Sequence, residues 1–122
     1  SKRDSFSLTP VFNLSQLYLK YGFSRKARRL LSGLYQKNDR DTDVLNGIAT
    51  SYLLEGKVKK AITYFHKIPR ESHKKPDIGL NFSVALKMID RGGDAKTIFG
   101  EVRQEKLGAL KDYYEDVKNY VR

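Results

Sequence analysis

Three alanines, Ala27, Ala61 and Ala95, follow one another at a spacing of 34 residues, and each brings a pattern of neighbours with it. Around the middle one stand Leu45, Ile48, Ala49, Tyr52, Gly56, Phe65 and Ile68. Leu45, Ile48, Ala49 and Tyr52 recur at the three- and four-residue steps of one helix face, and Ala61, Phe65 and Ile68 do so on a second. Between the two faces, Gly56 accepts positive φ without steric strain, which makes it the turn of a helix hairpin. Small residues at Ala49 and Ala61 let the two backbones approach closely. One period upstream the same columns hold Val11, Leu14, Ser15, Tyr18, Gly22, Ala27, Leu31 and Leu34. One period downstream they hold Gly79, Phe82, Ser83, Leu86, Asp90, Ala95, Phe99 and Val102. Periods in this range are the mark of stacked helical repeats, none of which buries its apolar face alone.

On these residues the chain resembles the tetratricopeptide repeat family, whose helix-turn-helix unit carries a large apolar residue, a small one, an aromatic, a turn glycine, then alanine and phenylalanine. The resemblance covers residues 8–106. It is best in the second repeat and departs in the third, where Gly79 stands in a column of large residues and Asp90 in the column of turn glycines. It implies an all-α fold, a right-handed α-solenoid of three helix-turn-helix repeats with a C-terminal capping helix.

The boundaries follow from local signals. Residues 1–8 are polar and basic without periodicity and read as a loose lead-in, with order beginning at the Thr9-Pro10 helix start. Residues 9–106 hold the three repeats. In the first, Gly22 and Phe23 turn the chain and Ser24 is placed to cap the second helix. Asp41 or Thr42 caps the third helix, the fourth runs from Val58 to Ile68, and Pro69 stops it. Arg70 to Lys75 reads as a basic loop. The fifth helix starts near Asp77, and Arg91, Gly92 and Gly93 read as a looser turn before a sixth helix capped by Asp94. Residues 107–122 form the cap: Leu110, Tyr113 or Tyr114, Val117, and Tyr120 or Val121 mark one apolar face, against a wet face of Asp112, Glu115, Asp116 and Lys118.

Composition limits the chemistry. The chain has no cysteine, so disulfides and thiolate metal sites are excluded. No run approaches the roughly 18 apolar residues of a membrane span, and residues 1–7 lack the apolar stretch of a signal peptide. The two histidines, His66 and His73, have no carboxylate pair at ligand or acid-base spacing, and no glycine-rich phosphate loop is present. No catalytic residue, metal or cofactor is expected, and an enzyme is a poor fit. The charge of +10 is the main departure from an average protein and favours a partner of acidic character.

In tetratricopeptide proteins the first helix of each hairpin lines a concave groove. That resemblance assigns to the groove Phe12, Gln16, Leu19 and Lys20 in the first repeat, and Asn46, Thr50, Leu53 and Leu54 in the second. In the third it assigns Leu80, Val84, Lys87 and Met88. The strip is apolar enough to be an interaction surface, unless its leucines belong to the core of a tighter superhelix or are covered by the chain ends. A second candidate is a basic edge. Arg25 and Lys26 recur one period later as Lys59 and Lys60, and Arg28, Arg29 and Lys57 extend them. Charge alone does not separate an acidic protein segment, anionic lipid headgroups and nucleic-acid phosphates, and aromatic interleaving looks weak, with Phe23 and Tyr64 nearby but no ladder.

The resemblance implies a scaffold, adaptor or chaperone that binds an amphipathic or extended protein segment, as small proteins of bacterial secretion and pilus assemblies do. An alternative is RNA binding: Asp43, Val44, Leu45 and Asn46, then Gly56, Ala61, Phe65 and Lys75-Pro76-Asp77, also resemble pentatricopeptide repeats, which read one base per repeat. Against it stand the spacing of 34 rather than 35 residues and the small number of repeats.

Overall fold

The computed structural model describes the backbone of residues 2–122 and the side chains of residues 11–122. Among these residues the chain is helical, with no strand. Helices α1 (Lys2–Lys20), α2 (Ser24–Lys37), α3 (Thr42–Leu54) and α4 (Val58–Lys67) are followed by a 3-10 helix at Arg70–Lys74. Then come α5 (Pro76–Met88), α6 (Gly92–Glu101), a 3-10 turn at Gly108–Leu110, and α7 (Lys111–Val121). The period survives to the residue: α1, α3 and α5 end at 20, 54 and 88, and α2, α4 and α6 begin at 24, 58 and 92.

The three turns between these helices are the same structure. Gly22, Gly56 and Asp90 all adopt the left-handed region, at φ 81°, 76° and 62°. In each, the amide after the turn residue donates back five residues: Phe23 to Tyr18 at 2.8 Å, Lys57 to Tyr52 at 2.9 Å, Arg91 to Leu86 at 2.9 Å. The inner bonds match as well, from Gly22 to Leu19 at 3.1 Å, Gly56 to Leu53 at 3.0 Å and Asp90 to Lys87 at 3.1 Å. This is the Schellman arrangement, which satisfies the last carbonyls of a helix and needs one residue at positive φ. The looser turn expected at Arg91, Gly92 and Gly93 is therefore corrected. Asp90 makes the turn, tolerating the left-handed region better than a bulky residue would, and Gly92 and Gly93 are the first residues of α6.

The chain forms two compact units, one closing at Lys67 and one running from Ile68 to Arg122. In the first, Ala27, Leu31, Leu34, Val44 and Ile48 make the core, flanked by Val11, Phe12, Tyr18, Leu19, Tyr35, Tyr52 and Tyr64. The small-residue columns lie where close packing needs them: Ser15, Ala27, Ala49 and Ala61 are fully buried, and the Ser15 hydroxyl donates to the Phe12 carbonyl of its own helix at 2.6 Å. Leu14 departs from its column. It is 41% exposed where Ile48 and Phe82 are buried, because α1 packs on α2 and α3 and neither covers that side of it. Helix α1 also begins at Lys2 rather than Thr9. Residues 2–9 contain no glycine or proline to break a helix, and the cap assigned to the Thr9 side chain lies outside the described residues.

In the second unit α5 packs against α6, α7 and the 3-10 helix Arg70–Lys74. Gly79 is what permits the last contact. A Cβ there would stand 2.3 Å from the His73 carbonyl oxygen and 2.6 Å from Val102 Cγ2, so the missing large residue of the third repeat is a close approach of backbone to backbone. The basic loop expected at Arg70 to Lys75 is thus a packed 3-10 helix. His73 in it is buried, its ring edge-on to Phe82 at 4.9 Å. Helix α7 buries Tyr114, Val117 and Val121, while Tyr113 is half-buried and donates to Asn81 Oδ1 at 2.7 Å.

Candidate functional site

Positive charge is concentrated in the first unit. Through Lys67 the sequence has 13 Lys and Arg against 5 Asp and Glu, a surplus of 8, whereas from Ile68 on it has 11 against 9, a surplus of 2. Helices α2 and α4 together carry eight of these cations and no acid. Their first turns hold Arg25, Lys26, Lys59 and Lys60, all exposed. Cations at a helix N-terminus oppose the macrodipole, so helix stability gives no reason for this placement.

The cations are laid over aromatic rings in register with the repeat. Lys26 Nζ lies 5.8 Å from the Tyr18 ring, and one period later Lys60 Nζ lies 5.6 Å from the Tyr52 ring. Lys26 also covers Phe23 at 5.4 Å, and Lys67 covers Tyr64 at 5.9 Å. Tyr52 stacks on Tyr64 at 5.8 Å, Tyr64 meets Tyr35 edge-on at 6.0 Å, and Tyr18 meets Phe23 edge-on at 6.2 Å. The aromatic interleaving that the sequence makes look weak is therefore present. Tyr18 and Tyr52 read as core columns, and each half-buried ring nonetheless receives a lysine of the edge.

Arg28 does not belong to the solvent-facing edge. Its guanidinium lies 4.2 Å over the Tyr52 ring and forks onto Glu55, at 2.7 Å and 3.2 Å to the two carboxylate oxygens. Ser24, placed by the sequence to cap α2, instead donates to Glu55 Oε2 at 2.9 Å, and the cap position falls on Phe23 with no side-chain bond. Lys57 Nζ completes the cluster at 3.4 Å from Glu55 Oε1. The Arg28 hydrogen bond, opposed by burial and supported by Ser24 and Lys57, holds the Glu55 carboxyl down to about 2. Glu55 thus joins the α1–α2 turn to the α3–α4 turn. Arg29 and Lys57 remain exposed.

The expected groove residues divide three ways. Phe12 and Leu19 flank the core of the first unit, and Leu80 is fully buried at 0% exposure, so all three are corrected from an open surface to packing. Their helices have neighbours on more than one side, and α5 in particular meets α6, α7 and the 3-10 helix. Asn46, Thr50, Leu53, Val84 and Lys87 are half-buried. Gln16, Lys20, Leu54 and Met88 are exposed, with Leu54 at 54%. What remains in the first unit is a face of α1 and α3 bearing Gln16, Lys20, Asn46, Thr50, Leu53 and Leu54; Gln16 Nε2 would stand 3.5 Å from a Cβ at Gly47, which places the two helices side by side there.

Asp41 caps α3 as expected, accepting from the Asp43 and Val44 amides at 3.0 Å and 3.2 Å. His66 is exposed on α4. Among the described residues no three His, Asp or Glu side chains gather as metal ligands, and no helix is long and apolar enough to cross a membrane. No protein-family model matches the chain, and no curated protein matches it by sequence.

Proposed function

We propose that the chain is a protein-interaction module of tetratricopeptide type, a scaffold, adaptor or chaperone that holds an extended or amphipathic segment of acidic character along α1 and α3. The observation that carries this reading is the recurrence of one hairpin three times with the same turn, to the residue. Its surface in the first unit is the face bearing Gln16, Asn46, Thr50 and Leu53. Half-buried Leu53 supplies an apolar contact there, while the surplus of cations on α2 and α4 attracts an acidic partner over distance. Affinity for the segment comes from desolvated contact on that face, and the cations mainly set the association rate.

Leu53→Glu tests it. A charge placed in a desolvated contact removes binding of a purified partner while helicity and melting temperature stay near those of the parent. Neutralising Arg25, Lys26, Lys59 and Lys60 slows association and lessens its salt dependence. The reverse ranking, with Leu53→Glu harmless and the neutralised edge unable to bind, overturns the reading. The basic-aromatic rows support RNA binding as a second reading, and it is distinguished by a steep fall in affinity for single-stranded RNA with added salt.

A further inference from the structure

Large apolar side chains stand exposed at the two turns of the first unit: Tyr21 at 65%, Phe23 at 53% and Leu54 at 54%. The hydrogen bond from Ser24 to Glu55 holds the α1–α2 turn against the α3–α4 turn, so these three belong to one edge. Cations surround them. Lys20 Nζ lies 5.9 Å from the Tyr21 ring and Lys26 Nζ 5.4 Å from the Phe23 ring, and Arg25, Lys59 and Lys60 follow in the first turns of α2 and α4. Among the described residues none of Arg25, Lys26, Lys59 and Lys60 has a carboxylate partner. Glu55, the acid at these turns, is taken up by Arg28 and Lys57, and Asp39, Asp41 and Asp43 follow the far end of α2, whose 14 residues span about 20 Å. Basic, apolar-tipped turns at one end and acids at the other give the unit a direction.

We propose that the first unit docks on an anionic membrane surface through this edge, with Tyr21, Phe23 and Leu54 entering the headgroup layer and the lysines and Arg25 above them facing acidic headgroups. A bilayer interface asks for this combination: amphipathic rings and an aliphatic tip at the level where polar gives way to apolar, and long basic stems that keep their charge in water. A nucleic acid asks for something else. Bases stack on open ring faces, but lysines already cover one face of Phe23 and of Tyr21, and Leu54 has no role against a phosphate backbone. An acidic protein segment would be met by the cations, yet it leaves three large apolar tips on two turns unexplained. The docking edge adjoins the α1–α3 face and shares Lys20 and Leu54 with it, whereas Tyr21 and Phe23 lie outside that face and the Leu53→Glu test of it leaves the docking residues unchanged.

The test is vesicle flotation of the intact chain. Vesicles of phosphatidylcholine alone are compared with vesicles containing roughly one-third phosphatidylserine, at low salt. The chain has no tryptophan, so Tyr21→Trp gives a single reporter whose emission shifts to shorter wavelength with anionic vesicles and not with neutral ones. Replacing Arg25, Lys26, Lys59 and Lys60 together by Gln lowers partition on the order of a thousandfold, since each basic residue at an anionic surface contributes roughly a factor of five. Tyr21→Ser with Leu54→Ser leaves the charge unchanged and lowers partition about tenfold or more. Both sites are exposed, so melting temperature is expected to hold; should the pair unfold the chain, the Tyr21→Trp emission still decides. No association with anionic vesicles overturns the proposal. So does association indifferent to the Tyr21→Ser, Leu54→Ser pair, which is adsorption by charge alone. Displacement of the vesicles by single-stranded RNA that binds this pair as tightly as the parent overturns it in favour of phosphate-backbone binding.

Discussion

Adding one methyl group at Gly79 and one at Gly33 should change stability in opposite directions, though both glycines sit inside helices. At Gly33, in α2, a Cβ meets nothing within 4 Å, so Gly33→Ala removes only the entropic disadvantage of glycine and stabilises by about 0.5–1 kcal/mol. At Gly79 the same methyl stands 2.3 Å from a backbone oxygen of His73 and 2.6 Å from Val102 Cγ2. Val102 can turn aside, but the carbonyl belongs to a 3-10 helix whose Lys74 oxygen also accepts the Arg103 amide at 2.9 Å. Relief requires moving that whole segment from α5. Overpacking costs about 1–3 kcal/mol, a clash with backbone falls in the upper part of that range, and the helix-propensity gain returns at most about 1 kcal/mol, so the net is a destabilisation of about 1–2 kcal/mol. Thermal or urea unfolding followed by circular dichroism measures both variants, with roughly 4 °C per kcal/mol in melting temperature. A Gly79→Ala chain that melts at or above the parent would refute the close approach of the 3-10 helix to α5.

Three further outcomes follow from the turns and the buried polar groups. Asp90→Gly should stabilise by about 0.5–1 kcal/mol, because glycine takes the left-handed region freely, and Asp90→Ala should destabilise; equal melting of the two would mean that φ at this turn is not restrictive. Glu55 has a depressed pKa in the folded chain, so its contribution is complete above the ordinary carboxylate value near 4.5 and is lost as pH falls toward about 2. Glu55→Gln should therefore be less stable than the parent at neutral pH and converge with it in acid, as read from melting temperature against pH. Burial raises the Tyr113 hydroxyl to about 12, so the stability linked to its protonated form is complete below 10 and declines as pH rises through about 12. Tyr113→Phe should lose about 1 kcal/mol with its bond to Asn81 and abolish that alkaline decline.

The hairpins were legible because they depend on columns of residue size. Ala27, Ala61 and Ala95 are buried to 0% as a close crossing requires, and Gly22 and Gly56 take the positive φ that only their lack of a Cβ makes easy. Less legible was anything fixed by a neighbour distant in sequence. Gly79 reads as a defect until His73 is seen against it, and Asp90 reads as a missing turn until its φ is known. Ser24 stands where a cap belongs, yet Glu55, 31 residues on, offers a carboxylate in competition with the helix amides. Periodicity also gives one apolar face per helix, and α5 is packed on more than one, which is why Leu80 lies in the interior rather than on a groove. Within the candidate site, the lysines of the edge were visible in sequence, and the tyrosines beneath them were hidden by having been counted as core.

The Glu55 carboxylate has a mechanical consequence. By gripping Ser24 and Arg28 from α2 at the C-terminal end of α3, it rivets two successive hairpins together at their turns, the parts of a helix pair that otherwise fray first. A pull on either tip, at Tyr21 or at Leu54, is then shared by four helices. Acid or loss of that one oxygen pair frees each turn to flex alone, while the hydrophobic layers beneath stay closed.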